Sequence, residues 1–434
     1  MRKFFACAGL ALAGTTSLQA AYAPDLNQME TAKLWSVSGT LRGFYDDNYN
    51  TAPSGSPAKR DSFGFEVSPS LSLNVPLQQT ELGLKYTYGL YYYQDREQIN
   101  GRPIDQTHQL DLWVDHAFTE RWQAKVMDTL AVGQEPQLVN GGTLYRTEGN
   151  NIHNMGAIRL DTQWTRLLGT ELSYQNDLYD YQNSGGNTVF PFATPSYAGL
   201  LNRLEHNIAL SVNWRLQPTL LAFVGYQFQV INYTGNEPIA VDPLTGGSQM
   251  SDSRDNYSHF VYLGAQYNPL DNLTLAGQAG IQYADYYNPA PSLPTSSSLS
   301  PYAKLSGTYT YLPGSYVQLG FTQSRSATSV VAPTASGTIT EDEESSVVYA
   351  ALNHQITARL TGNVTGQIQY SSFKGGSVNS QSQTWYSVGL NLAYSITPHV
   401  SAEIGYNYDD LTSVAVYAPG YERNRVYLGV TGTY

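Results

Sequence analysis

Residues able to carry acid–base or nucleophilic chemistry are few in this sequence and poorly grouped. Its seven histidines, His108, His116, His153, His206, His259, His354 and His399, are scattered, with no pair at metal-ligand spacing. Ser258 beside His259, with Asp255 nearby, is the best nucleophile-like cluster. A serine needs its base within hydrogen-bond reach, and adjacent residues of a strand point to opposite faces. The trio is therefore expected to be structural, and no catalytic residue, metal or cofactor is assigned. Cys7, the one cysteine, falls in an export leader, so the mature chain is expected to lack disulfides and thiolate ligands.

Charged residues are better organised. Arg42, Glu66, Glu81, Lys85, Asp111 and Asp115 sit at alternate positions of segments whose other positions are apolar. Lys125, Arg159, Asp161, Glu171, Arg203, Glu205 and Arg215 continue the series. Such spacing lines one face of a sheet, here the wet interior of a pore. Beyond residue 215 the same positions turn neutral, as in Gln227, Gln278, Gln367, Asn391 and Asn407, with Lys304 and Glu403 as exceptions. One reading is a channel for polar solutes with a field across it; the other is that paired charges tie neighbouring strands together. The signs nearly balance, which argues against strong ion selectivity. Acidic residues toward the loop-side strand ends (Asp46, Asp47, Asp95, Asp177, Asp180, Asp285, Asp409, Asp410) suit either a hard cation or a solvated rim. The run Glu341-Asp342-Glu343-Glu344 reads as a solvated loop end.

The elements that would hold this wall are strands. Leu82, Leu84, Tyr86, Tyr88, Leu90 and Tyr92 alternate with Gly83, Lys85, Thr87 and Gly89, and the same comb recurs at Leu360–Tyr370 and Tyr386–Ile396. Period two makes each segment apolar on one side and polar on the other. Short gaps carrying turn residues (Pro76–Gln78, Gln217–Pro218, Pro313–Gly314, Thr397–Pro398) alternate with long polar ones such as 133–150, 183–201, 233–254 and 328–343. That sorting is the pattern of an outer-membrane barrel, with its short turns in the periplasm. The expected fold is all-β: a transmembrane antiparallel up-and-down β-barrel of 18 strands over residues 35–434, its fourteenth strand starting near 344. Aromatic clusters at strand ends, Phe44, Tyr45, Tyr91–Tyr93, Tyr179, Tyr181, Tyr286, Tyr287, Tyr406 and Tyr408, are expected to form girdles at headgroup level.

Arg2 and Lys3 precede the apolar stretch Phe4–Gly14 and a small-residue region, the layout of a secretory signal. Cleavage after Ala20 or Ala23 fits, and Pro24 favours Ala20. The expected organisation is a signal peptide at 1–20, a short periplasmic segment at 21–34, then the barrel. Losing Arg2 and Lys3 takes the formal net charge from −12 to −14, which argues against nucleic acid as a partner. Val426, Leu428, Val430 and Tyr434 end the chain on an aromatic strand of the kind read by the barrel assembly machinery.

The segment Gly43-Phe44-Tyr45-Asp46-Asp47-Asn48, then Asp61, Pro69-Ser70-Leu71-Ser72-Leu73 and Tyr86, resembles the amino-terminal part of the putative β-barrel porin 2 family of bacterial outer-membrane proteins. The motifs cover about the first 130 residues and the architecture covers the remainder. The resemblance implies a barrel in the outer membrane, among its lipids and lipopolysaccharide, but no particular substrate. Barrels of 16–18 strands leave an aqueous channel, so the leading expectation is passive diffusion of small hydrophilic solutes. A plugged surface scaffold or receptor is an alternative, as is a polysaccharide export conduit. The Gly-rich loop 133–150 is a candidate to fold inward and narrow the pore.

Overall fold

The computed structural model of the chain describes residues 33–99, 102–133, 151–189, 192–242, 245–289, 293–413 and 420–434. The proposed leader, residues 21–32 and the interior of loop 133–150 lie outside the described residues. Alternation becomes strands throughout: β1 (Trp35–Asp46), β2 (Ser62–Pro76), β3 (Thr80–Tyr93), β4 (Ile104–Ala117), β5 (Trp122–Gly133) and β6 (Asn151–Gln163). The wall continues through β7 (Leu168–Tyr181), β8 (Arg203–Gln217), β9 (Leu220–Tyr233), β10 (Asn256–Leu270), β11 (Leu273–Tyr286) and β12 (Ser296–Leu312). It ends with β13 (Ser315–Ser326), β14 (Thr340–Gln355), β15 (Leu360–Gly375), β16 (Ser382–Thr397), β17 (Val400–Ser413) and β18 (Tyr421–Thr433).

Each strand pairs antiparallel with its neighbours in sequence, giving one 18-stranded sheet. The sheet closes where β1 meets β18, from Ser38 opposite Thr433 to Asp46 opposite Arg425. Closure removes the free edges that hydrocarbon would not tolerate. The terminal strand behaves as its alternation predicts. Val426, Leu428 and Val430 point outward, and the Tyr434 ring packs 5.8 Å from Trp35 across the seam.

Exposure alternates along strands such as β1, β8, β16 and β18, and in β1 Ser36, Ser38, Thr40 and Arg42 are buried while Val37 and Leu41 are exposed. The buried polar series faces the lumen and the exposed apolar series faces lipid. A soluble protein would show the opposite arrangement. Inward glycines seat aromatic rings from the next strand. A Cβ at Gly83 would fall 1.8 Å from the Trp113 ring, and one at Gly405 would fall 2.1 Å from Tyr427. These positions need glycine because the ring occupies the side-chain space.

Two expectations need correction at the loop-side ends. β14 starts at Thr340, so the acidic run belongs to a strand; Asp342 is buried and Glu343 has no exposed surface. The aromatic clusters also divide. Tyr45 is an outward residue, whereas Phe44, Tyr93, Tyr181 and Tyr286 turn inward and are buried. Phe44, Tyr93, Tyr49 and Tyr427 pack together as a small core inside the mouth. Strands that outrun the bilayer present their inward aromatics to loops folded over the opening.

Candidate functional site: the lumen wall and its roof

Alternation places the inward charges on neighbouring strands at matching registers, and most become partners. Arg42 opposes Glu66 and donates to it at 3.2 Å, while its Nε reaches Glu403 at 2.6 Å across β18. Lys85 and Asp111 are directly opposite, and the Thr129 hydroxyl donates to Asp111 at 3.0 Å. Lys125 pairs with Asp115 at 2.9 Å. Arg159, only 2% exposed, lies between Asp161 at 2.8 Å and Glu171 at 2.9 Å. Arg203 bonds Glu205 at 2.7 Å and stacks over the Tyr179 ring at 3.7 Å. Glu81 falls opposite Asp115 instead, so two acids meet there. Arg215 stands apart near the turn-side end of β8.

The other half of the wall carries Gln227, Gln278 and Asn391 on its inward face. Gln227 bonds Asn207 at 3.0 Å and Gln278 bonds the Tyr302 hydroxyl at 2.8 Å. Asn391 donates to Glu403 and to the Tyr427 hydroxyl, both at 2.9 Å. The expected neutrality of this half fails near the mouth. Arg423 and Arg425 converge on the fully buried Asp46 at 2.7 and 3.0 Å, and Arg325 pairs with Asp342 at 2.6 Å. Alternation along β18 points to the first two, because Arg423 and Arg425 share parity with Tyr427. Arg325 had no such signal, since it lies where the chain leaves the wall.

Three loop-side connections meet over the opening. The β7–β8 connection holds a short helix, α1 (Tyr197–Leu201), capped by Ser196. The β9–β10 connection forms a ribbon, Pro238–Val241 against Ser248–Met250. The β13–β14 connection, residues 327–339, crosses to both. Ile339 is buried with Tyr181, Leu201 and Ile239, and Val331 packs on the same cluster; Ala327 packs on Ile231 and Tyr233. β14 and β7 are not neighbours in the ring, and Tyr181, Ile231 and Tyr233 point inward, so this connection spans the mouth.

Arg254 fastens the span. It has no exposed surface, donates to the Thr328 carbonyl at 2.9 Å and to the Leu200 carbonyl, and stacks on Tyr233 at 4.4 Å. Burial lowers its pKa, with the nearby Arg203 charge acting in the same direction. Gln249 donates to the Gly337 carbonyl at 2.6 Å. Burial would raise the Glu237 carboxyl, but the Ser196 hydroxyl and the Gly186 and Gly185 amides outweigh it and hold the pKa down. Beneath this roof a small cavity of about 10 Å³ is lined by Gln229, Asn256, Ser258, Gln282, Arg325 and Asp342, among others. Loop 133–150, the sequence's candidate for narrowing the pore, falls outside the described residues; the roof comes from 327–339.

The candidate chemistry elsewhere stays dispersed. Ser258 is buried on the inward face, whereas His259 faces outward with its Nδ1 2.8 Å from the Tyr226 hydroxyl. Among the rim acids, Asp46 is taken by Arg423 and Arg425, and Asp47 by Lys59 at 3.0 Å. Among the described residues, no group of three or more His, Cys, Asp or Glu is arranged to hold a metal.

The profile of the putative beta-barrel porin 2 family matches residues 36–434, the entire barrel. The chain belongs to this family. As a member of the porin 2 family it is an outer-membrane, porin-like channel for small solutes. Similar solved structures include Acinetobacter baumannii OccAB4 at 12% identity and TM-score 0.43, covering 94% of this chain and 100% of that one. Pseudomonas aeruginosa OccK9 (OpdG) is 11% identical with TM-score 0.43, over 92% and 98%. A BenF-like porin from Pseudomonas fluorescens Pf-5 is 11% identical with TM-score 0.43, over 92% and 99%. No curated protein matches the sequence at a significant level.

Proposed function

We propose that small hydrophilic solutes cross this porin 2 barrel passively, along the inward wall from Arg42 to Arg215, with weak ion selectivity and no catalysis. The observation that carries this is the pairing of charges. Each of Arg42, Lys125, Arg159 and Arg203 has a carboxylate within 3.2 Å. Opposite charges so close largely cancel beyond a Debye length of about 8–10 Å. The wall therefore offers hydrogen bonds along its length without a strong net field. Small size follows from the roof, which leaves the route to pass beside residues 327–339. Export through a leader at 1–20, reading of β18 by the barrel assembly machinery, and contact with lipopolysaccharide through the outward girdle belong to the same proposal.

The test is single-channel recording in a planar bilayer. Purified protein should give discrete steps with modest selectivity, and deletion of residues 329–337 should enlarge them. A second reading, a barrel plugged by its loops and acting as a surface scaffold or receptor, is favoured by the span of 327–339 across the mouth. If the intact protein and the deletion are both electrically silent, that reading replaces the first.

A further inference from the structure

We propose that Glu343 is a pH-sensitive latch for the connection 327–339, the strap across the mouth, holding it shut while the carboxyl is neutral and releasing it on ionisation. The effect on solute flow rests on the channel reading; the latch itself does not. The strap carries no charged or histidine side chain, and none of it joins the barrel's ladder. Any response to pH must come from what it sits on.

Glu343 has no exposed surface and lies opposite Phe373 of β15 and Ser326 of β13. Ser345 of its own strand donates to it at 3.1 Å, and Gln383 of β16 at 3.4 Å. The hydroxyls of Ser371 on β15 and Thr328 on the strap donate as well. Thr328 is itself fully buried; its hydroxyl accepts from the Val330 amide at 3.2 Å and its carbonyl from Arg254 at 2.9 Å. Further along, Val330 and Ala332 pack on Phe373 and Val378, and the Ser377 amide donates to the Ala332 carbonyl at 2.8 Å. The strap thus covers the carboxyl, and the strands around it are held by their ladders. Lifting the strap is what admits water.

No salt bridge reaches Glu343 among the described residues. Arg325 of β13 is taken by Asp342 at 2.6 Å, and Lys374 of β15 by Glu344 at 2.9 Å. Glu341 accepts from the Ser296 hydroxyl, and Arg254 reaches only backbone carbonyls. The β15–β16 connection, 376–381, has no titratable group. An ionised carboxylate buried without a cation is costly. β14 has 16 residues, more than the roughly 9–11 that cross hydrocarbon, and Glu343, fourth from its loop-side end, lies above the bilayer. Burial pushes its carboxyl from the ordinary 4.5 up to about 8; the Ser371, Thr328 and Ser345 hydroxyls oppose that, and the Asp342 charge adds to it. A carboxyl raised under the strap and ordinary in water favours closure fully below pH 4.5, and that preference is lost as pH rises toward 8. Each unit in that window shifts the closed-to-open ratio by up to about tenfold.

The test is thiol labelling at Val330, buried against Phe373, in a chain whose native cysteine, Cys7, lies in the proposed leader. Purified barrels carrying Val330→Cys are treated with a maleimide from about pH 5.5 to about pH 8.5. Rates are divided by those of the exposed Ser336→Cys, which removes the thiol's own pH dependence. The ratio should rise at least about tenfold, and Glu343→Gln should hold it flat at the low value. Heat-modifiable migration on gels checks that the barrel stays folded across the range, and Glu343→Met serves if the glutamine variant does not assemble. A flat ratio in the parent, or a rise that survives the substitution, would overturn the proposal. In planar bilayers the same release should appear as larger conductance at high pH. A barrel that is electrically silent at every pH while the labelling switches would sink the channel reading and leave the latch standing.

Discussion

Replacing one residue of β16 with arginine and then its neighbour gives the sharpest test of which face meets lipid. Leu390 is 43% exposed, lies in register with outward Val364 and Tyr406, and sits midway along the strand. An arginine at the bilayer midplane on the lipid face costs about 2–4 kcal/mol. At tenfold per 1.4 kcal/mol that shifts the folding equilibrium on the order of thirty- to several-hundred-fold. Asn391, one residue further, faces the lumen and donates to Glu403 and the Tyr427 hydroxyl. Asn391→Arg gives up a neutral bond to the Tyr427 hydroxyl worth about 0.5–1.5 kcal/mol, and its amide bond to the Glu403 carboxylate, already charge-assisted, is replaced by one from a guanidinium to the same carboxylate. Its net effect should therefore stay under about 1 kcal/mol. Reversible unfolding by guanidinium in lipid vesicles, followed by tryptophan fluorescence, measures both. Leu390→Arg should lower the midpoint strongly and Asn391→Arg hardly at all. Equal losses, or a larger loss at residue 391, would refute the assignment of faces and with it the inward wall.

The roof makes a second prediction: Arg254→Ala leaves the Thr328 and Leu200 carbonyls without a donor, at about 1–3 kcal/mol for each buried group, and should raise single-channel conductance while leaving barrel unfolding unchanged. Conductance equal to the parent's would show that Arg254 does not hold the span. Burial pushes the Asp255 carboxyl up from its ordinary 3.8 to about 6, against the opposing amide of Tyr233. A raised folded-state pKa means stability that is full below pH 3.8 and declines as pH rises through 6. Proteolysis of the β9–β10 connection should therefore quicken from pH 5 to pH 7, and a rise that persists in Asp255→Asn would assign it elsewhere. Cysteines at Ser54, Gly246 and Ser336, all exposed on the loop side, should label in intact cells, and one at Gln78 should not. Labelling at 78 would invert the orientation.

How much of this was legible from sequence depends on the depth of a residue in the membrane. Period two specifies faces wherever one side meets hydrocarbon, because a slip of one residue would drive every polar side chain into lipid. Arg42, Glu66, Lys85, Arg159 and Arg203 are accordingly buried while their apolar neighbours Leu41, Val67 and Ile158 are exposed, and along the closing strand Val426, Leu428 and Val430 are exposed too. The rule assigns a face but not what covers it. Above the headgroups the outward face is wet and the inward face is dry under the roof, so the usual inference from polarity reverses. Glu343 is acidic, so the sequence suggested a solvated loop, yet it is fully buried. Tyr93 and Tyr181 are aromatic, so they suggested a girdle, yet they pack beneath loops.

The same reasoning separates the two kinds of charge in the wall. Toward the turn-side end of the wall Lys125 and Asp115 remain about a third exposed, and an exposed pair contributes on the order of 0–1 kcal/mol. Such pairs do little for stability and leave hydrogen-bonding atoms facing the solute. At the mouth Asp46 has no exposed surface, and removing one partner of a buried pair costs about 3–5 kcal/mol. Asp46 gathers Arg423 and Arg425 from β18 onto β1, at the join where the last strand meets the first. No turn links these two strands, so their pairing rests on backbone ladder and side chains alone. The exposed pairs thus suit solute passage, and the buried cluster at Asp46 suits closure of the ring. Both sets look alike in the sequence, because alternation reports the face of a charge and not the depth of water above it.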